Sequence, residues 1–302
     1  MKKKSILEKN KKLTPFAILA TIFLTLYSLA LVLPLFWAVF SSLKLQIDFI
    51  DTVFAWPKYG FKWENWVKAF TNISITVPSA SSRVGTRKVQ LLEMFLYSLV
   101  YSVCTGFIGV FSRSACAYVV AKYKHLRWTG LVHSLVIILM IISFPSNLAI
   151  SIKFSKLVGL YNNFLGRCLM SFGFTGTSFL YFYAAYCGLS REYAEAAEID
   201  GASQLMVMLR VMMPMVKNIF IALFMLDFIA SWNDYSVSLV YLPSYPMVAY
   251  GLYVYNMDTG NASSGVPLKL AGSALVILPT LTIFIVFRNK IVSNLSIGGL
   301  KG

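Results

Sequence analysis

The chain has 302 residues, of which 58% are hydrophobic and only 13% charged, with a formal net charge of +15 and a mean hydropathy of +0.69. A soluble domain carries about 25% charged residues, so this composition excludes an ordinary water-soluble enzyme and a disordered chain, and it names lipid as the solvent. The basic excess does not imply nucleic acid, because the Lys and Arg residues flank apolar runs instead of forming a stripe on a soluble domain.

Lys2, Lys3, Lys4, Lys9, Lys11 and Lys12 make residues 1–15 a basic, cytoplasmic tail under the positive-inside rule. A bilayer core of roughly 30 Å takes about 20 apolar residues as a helix, and residues 16–40 supply the first span. That run is far longer than the roughly 7–15-residue apolar core of a cleaved signal peptide. Residues 41–91 form a long outer loop, in which Trp56, Pro57, Trp63 and Trp66 suit the headgroup region. Its 78–90 stretch reads as a mobile polar insertion, and its seven basic residues are dilute beside the six in the first twelve.

Uncharged runs follow at 94–112, 128–152 and 168–190. Residues 216–241 form a fifth, broken inside by Asp227 and Asp234, and 270–287 a sixth. The expected fold is an all-α membrane protein of six transmembrane helices, with 92–288 as its core and 289–302 as a cytoplasmic tail. Both termini then face the cytoplasm. Residues 120–127 and 189–215 lie on the same side, and 153–165 and 242–267 lie outside.

No covalent active site is legible. His125 and His133 have no partner at metal-binding spacing, and Cys104, Cys116, Cys168 and Cys187 are scattered through apolar segments without a CxxC pair, as small core residues would be. There is no Gly-x-Ser-x-Gly elbow and no dinucleotide fingerprint. The dipeptide Gly-Lys never occurs, so a phosphate-binding P-loop is excluded and any ATP used must be hydrolysed by another chain.

The longest inner loop carries the strongest signal. Ser190 can cap a short helix whose first turn holds Glu192 at the positive end of the dipole. Ala194, Ala197 and Gly201 recur at i, i+3 and i+7 and leave room for close backbone approach, and Gly201 permits the positive-φ turn that ends the helix. Ser203 can cap a second helix that cannot run cleanly past Pro214. Two short helices at a sharp angle make a compact acidic knob.

This loop, residues 189–214, resembles the coupling (EAA) loop of ABC-transporter permeases: Glu195-Ala196-Ala197, three residues, Gly201, nine residues, then Val211-x-Met213-Pro214 in place of the usual Ile-x-Leu-Pro. A juxtamembrane amphipathic helix of no special role is the bland alternative. Glu198-Ile199-Asp200-Gly201-Ala202-Ser203, Ser231-Trp232-Asn233-Asp234, Trp63-Glu64-Asn65-Trp66, Gly159-Leu160-Tyr161-Asn162-Asn163 and the ending Ser296 to Gly302 are similar to carbohydrate-uptake permeases, in particular the maltose-type second permease subunit. Departures are Tyr97 where that family usually has Asn, Ser190 where Pro is common, and the 74–90 insertion.

The resemblance implies an importer of a sugar or oligosaccharide. A second homologous permease subunit completes the pathway, two ABC ATPase domains dock below, and an extracytoplasmic sugar-binding protein delivers cargo, in a bacterial or archaeal plasma membrane. No cofactor is then bound by this chain; ATP and Mg sit on the partner ATPase. Glu195, Ala196, Ala197, Asp200, Gly201 and Pro214 become ATPase-coupling residues, and Gly298, Gly299, Leu300, Lys301 and Gly302 an ATPase-interface tail. Tyr253, Asp258, Gly260, Asn261 and Ser263 belong to a loop that reaches into the binding protein, or to an ordinary exposed hairpin. The same machinery could serve a non-sugar cargo such as amino acids or polyamines.

Ionisable groups inside the spans are the remaining clue. Asp227 and Asp234, seven residues apart, return to one helix face within about 20°. A carboxylate facing lipid near the midplane costs on the order of 2.5–3.5 kcal/mol, so that face meets protein or water. Asp227, Asn233 and Asp234 are substrate-pathway candidates or members of a structural interhelical hydrogen bond. Tyr183, clustered with Tyr181, Phe182 and Tyr186, is placed either to stack on a sugar ring or simply to pack.

Overall fold

The computed structural model describes residues 15–78, 85–142, 148–257 and 265–295. They fall in two compact units, 1–69 with 262–274 and 70–261 with 275–302.

In the first unit, helix α1 (Pro15–Ser42) holds 28 residues, about 42 Å at 1.5 Å per residue, and carries no charge. Its most apolar stretch is wholly exposed, a state tolerable in lipid and not in water. Its last turn gives way to a polar knot. Lys44 is fully buried, donating from Nζ to the carbonyls of Thr52 (2.9 Å) and Val53 (3.1 Å) beyond the short helix α2 (Gln46–Asp51). Asn65, at the start of α3 (Glu64–Asn72), donates from Nδ2 to the Ser42 and Lys44 carbonyls at 2.8 Å each, so the orphan carbonyls at the end of α1 are satisfied by a side chain. Trp56 and Trp63 stay exposed, and Trp56 meets Phe40 edge to face at 4.9 Å.

The second unit opens with a feature outside an all-α plan. Strands β1 (Ser74–Pro78) and β2 (Thr86–Gln90) pair antiparallel with Ile75 opposite Val89, so part of the expected mobile insertion is a hairpin. The alternation of Ile73, Ile75 and Val77 puts the apolar side chains on one face. Ile73, Val77 and Val89 pack there with Leu91, Met94 and Trp232.

Helix α4 (Leu91–Lys122), 32 residues long, is the axis of this unit. It is followed along the chain by α5 (Arg127–Ile141), α6 (Leu148–Leu157), α7 (Phe164–Leu169), α8 (Thr177–Cys187), α9 (Glu192–Ile199), α10 (Gln204–Met215), α11 (Lys217–Asn233), α12 (Ser236–Val240) and α13 (Val248–Met257), of which α5, α7, α8, α11 and α13 pack against it. The last helix, α14 (Val266–Leu295), runs through both units. Ser98, Ser102, Gly106 and Gly109 are buried along α4 about one turn apart, the small-residue spacing that lets helices approach closely in lipid. At Gly106 a Cβ would sit 3.2 Å from the Phe224 ring of α11.

Among the described residues, three helices are long and apolar enough to cross a membrane, α1, α4 and α14, or four if α10 and α11 count as one span bent by 80°. The expected runs at 128–152 and 168–190 are not single helices. α5 stops at Ile141 and α6 starts at Leu148, while α7 and α8 are separated by residues 170–176. The eleven residues of α8 reach about 16 Å, half a bilayer. Likewise α11 ends at Asn233, short of 241. Apolar side chains fix which residues enter lipid, but the helix within this run ends at Leu169 and restarts only after Gly176, whose φ of +127° lies outside the helical region.

Candidate functional site

Two constellations stand out in the second unit, one at the end of the helices that carries residues 189–214 and one about halfway along them. In the first, the Ser190 hydroxyl accepts from the Glu192 amide (3.3 Å) at the entry to α9. Ala194 is buried and Ala197 half-buried against Val207, Met212 and Tyr186, so the small side chains seat α9 on the core. Glu195, Ala196 and Asp200 point away and are exposed, and Ile199 is 86% exposed at the helix end.

The helix closes in a Schellman turn. The Ala202 amide donates to the Ala197 carbonyl (2.9 Å) and the Gly201 amide to that of Glu198 (3.0 Å), with Gly201 at φ +84°. Ser203 Oγ then accepts from the Met206 amide at 3.4 Å to start α10. Val207–Met212 forms a π-type turn just ahead of Pro214, which has no N–H to continue the ladder, and the chain bends 80° at Val216 into α11.

Lys122, the last residue of α4, ties this loop to the span. Its Nζ donates to Glu198 Oε1 and to Gln204 Oε1, both at 2.5 Å, and the Tyr123 hydroxyl donates to Gln204 Oε1 at 3.1 Å. One ammonium therefore holds both short helices. The Lys122 hydrogen bond keeps the Glu198 carboxyl below the usual carboxylate range, so the link survives mild acid and opens only as pH falls through that lowered value. Glu195 lines a cleft of about 180 Å³ with Lys122, Lys124 and Arg191.

Gly201 gives a local test. Space around it is open, so a side chain there costs only backbone strain, about 1–2 kcal/mol for a non-glycine residue at positive φ. Gly201→Val is expected to lower the thermal midpoint of the detergent-extracted protein and to expose the loop to protease, whereas Gly201→Asn, which tolerates this conformation, should do neither. Equal behaviour of the two variants would remove the turn as the reason for glycine.

The second constellation lies where the run from α7 to α8 is interrupted. Ser112 Oγ donates to the Gly173 carbonyl (2.8 Å), and Arg113 Nε to the Thr175 carbonyl (3.0 Å). Arg113 Nη1 donates to Asp227 Oδ2 at 2.7 Å across to α11. Arg113, Gly173, Thr175 and Asp227, with Thr105, Arg167 and Ser231, border a polar cavity of about 440 Å³. Asp227 lies ten residues from Lys217, about 15 Å, and Arg113 nine residues from Lys122, about 13.5 Å. The cavity thus sits near mid-depth. Irregular backbone at that depth is tolerated only where protein buries it or water reaches it, and interrupted helices at such depth are where transport proteins build binding sites.

The candidate residues do not all gather there. Asp227 borders the cavity, but Asp234 caps the end of α11 and accepts from the Ser236 amide (2.9 Å) and hydroxyl (2.5 Å). Asn233 is exposed and donates to the Ile229 carbonyl. Tyr183 lies 4.4 Å from the His133 ring, outside the cavity wall, while Phe182 and Tyr186 pack in the core and Cys187 is exposed. Tyr253 stacks on Tyr235 at 4.6 Å; Asp258, Gly260, Asn261 and Ser263, and the tail Gly298 to Gly302, lie outside the described residues. Arg113 and Arg167 were not among the candidates. The signal available for Arg113 was its distance from Lys122, which puts it well inside a span.

Two departures from the family pattern are explained together at the opposite end of α4. Arg87, on β2 of the insertion, donates to Glu93 Oε1 (2.5 Å), to the Tyr97 hydroxyl (2.8 Å) and to the Ser244 carbonyl (3.3 Å). The Tyr97 hydroxyl in turn donates to Glu93 at 2.5 Å. Asn162, at φ +54°, is pinned to Ser244 from both ends of its amide, at 2.9 and 3.0 Å. Tyr97 is thus the partner the insertion requires.

Comparison with known proteins agrees with this architecture. The chain is 26% identical over 310 residues to the arabinooligosaccharides transport system permease protein AraQ of Bacillus subtilis, covering 98% of this chain and all of the relative. It is 25% identical to the diacetylchitobiose uptake system permease protein NgcG of Streptomyces coelicolor, over 95% of this chain and 89% of the relative. A chain in the crystal structure of a bacterial ABC transporter involved in the import of the acidic polysaccharide alginate has the same fold, with a TM-score of 0.72 at 16% identity over 91% of this chain and 95% of that one. Residues 52–292 match the model of the binding-protein-dependent transport system inner membrane component. The chain belongs to that family, as an integral membrane component of a transport system and not an enzyme.

Proposed function

We propose that the chain is one of two permease subunits of an ATP-driven importer and carries a sugar or oligosaccharide delivered by an extracytoplasmic binding protein. The observation that carries the reading is the polar, mid-depth cavity at the break between α7 and α8. A membrane protein with no path for a polar solute has no use for such a break, since each unsatisfied backbone group in hydrocarbon costs several kcal/mol. The sugar class is supported by the cargo named for AraQ and NgcG.

In this reading the chain crosses the membrane six times, with both termini cytoplasmic and the missing spans assembled from half-height helices. The exposed face of α9, with Glu195, Ala196, Ile199 and Asp200, docks on an ABC ATPase, which alone binds ATP and Mg. The tail 298–302 reaches the same interface, and the loop after Tyr253 meets the binding protein. Tagged chain extracted in mild detergent is expected to co-purify with a second permease and a P-loop ATPase, identified by mass spectrometry. Recovery of the folded chain alone across several detergents would overturn the reading.

A further inference from the structure

The mid-depth cavity is not electrically balanced. Its wall holds two arginines, Arg113 and Arg167, and one carboxylate, Asp227. Asp227 is committed to Arg113. Among the described residues no carboxylate pairs with Arg167 on α7, and Asp234, the next acid along the chain, is turned to Ser236 and does not border the cavity. The Arg167 guanidinium lies on the face of Tyr241, 4.2 Å from the ring centroid. Its Nη1 has only the Met170 sulfur at 3.8 Å, a weak acceptor, and the Tyr101 hydroxyl stands near. Its Nε is buried without a hydrogen-bond partner.

A cation in this state calls for an anion. Stacking on Tyr241 holds the guanidinium plane, so its edge is the part left to bind, and that edge is the fork that matches a carboxylate, sulfonate or phosphate. The hydroxyls of a neutral sugar could accept from the guanidinium but would leave the charge uncompensated in a site of low dielectric. An anionic lipid headgroup offers the same chemistry to a guanidinium, and full entry of acidic cargo through Arg167→Gln is the outcome it would give.

We infer that the glycan passing this cavity carries an anionic group that docks on Arg167. The inference rests on the importer reading above. Cells producing the complete system, binding protein included, are fed equal mixtures of neutral glycans (starch and galactan hydrolysates) and acidic ones (pectin and hyaluronan hydrolysates, hexose phosphates). Glycans that accumulate only when the importer is present are identified by mass spectrometry. The expected cargo is acidic, and Arg167→Gln lowers its entry at least tenfold while ATPase and partner permease still co-purify; Arg167→Lys, which keeps the charge, retains more entry than Gln. Entry of neutral glycans alone, entry of no acidic glycan by an intact ATP-hydrolysing complex, or full acidic entry through Arg167→Gln overturns the inference. Failure of the complex to form is instead a failure of the importer reading, and removes this inference with it.

Discussion

Glu195→Lys is expected to reduce ATP-driven uptake by more than tenfold while leaving the protein inserted and folded. Glu195 is exposed on α9 and borders a cleft that already holds Lys122, Lys124 and Arg191. Reversing its sign has two effects. Outside the chain, a face that carried the two carboxylates of Glu195 and Asp200 becomes neutral and sets an ammonium against any basic partner surface, a local mismatch that costs several kcal/mol at an interface. Inside it, a fourth cation joins the cleft and weakens the hold of Lys122 on Glu198 and Gln204. Glu195→Gln separates the two, because it removes the docking charge without adding repulsion, and should fall between wild type and Lys. The measurement is uptake in cells alongside the amount of ATPase retained on the tagged chain. Wild-type uptake by the Lys variant would end the coupling assignment for this helix.

The second large effect is at the ion pair between α4 and α11. Removing one partner of a buried pair costs about 3–5 kcal/mol, chiefly because the other is left charged and alone. Side-chain exposures of 23% for Arg113 and 33% for Asp227, through the cavity, bring the expected cost to the lower end, about 2–3 kcal/mol. Asp227→Leu should therefore lower the thermal midpoint of the extracted protein clearly, and Arg113→Leu more so, because Arg113 also holds the Thr175 carbonyl. The double variant should regain much of the loss relative to either single one, the pattern a double-mutant cycle reads as direct coupling. Transport should stay low in all three, since the cavity loses polar groups each time. Additive losses of stability in the double variant would show that the pair is not an energetic unit.

The turn chemistry of the inner loop was legible because it is local. Ser190, Gly201, Ser203 and Pro214 each act through backbone within a few residues, and each stands in the structure where its own conformational preference puts it. Span lengths were less legible. Residues 168–190 contain no acid and no lysine, but apolar composition does not register that Gly176 leaves the helical region. The hairpin was missed although Ile73, Ile75 and Val77 alternate, because the polar strand Thr86–Gln90 offers only Val89 to the same face. The cavity was half legible. Asp227 is conspicuous as an acid in an apolar run, whereas Arg113 sits one residue past an uncharged stretch and reads as a flank. Its pairing joins positions 114 apart, a relation that no spacing rule contains.

The bend between α10 and α11 has a mechanical consequence. Two rigid arms meeting at 80° form a bell crank, in which a pull along one arm is delivered as a sideways swing of the other. The seventeen residues of α11 reach about 25 Å from the pivot at Val216, and Asp227 lies about 16 Å out along that arm. A rotation of about 10° at the pivot would displace the Asp227 backbone by roughly 3 Å, by that helical rise. That stroke is comparable to the length of the Arg113–Asp227 bond, so a small rotation of α11 about Val216 is enough to make or break that ion pair.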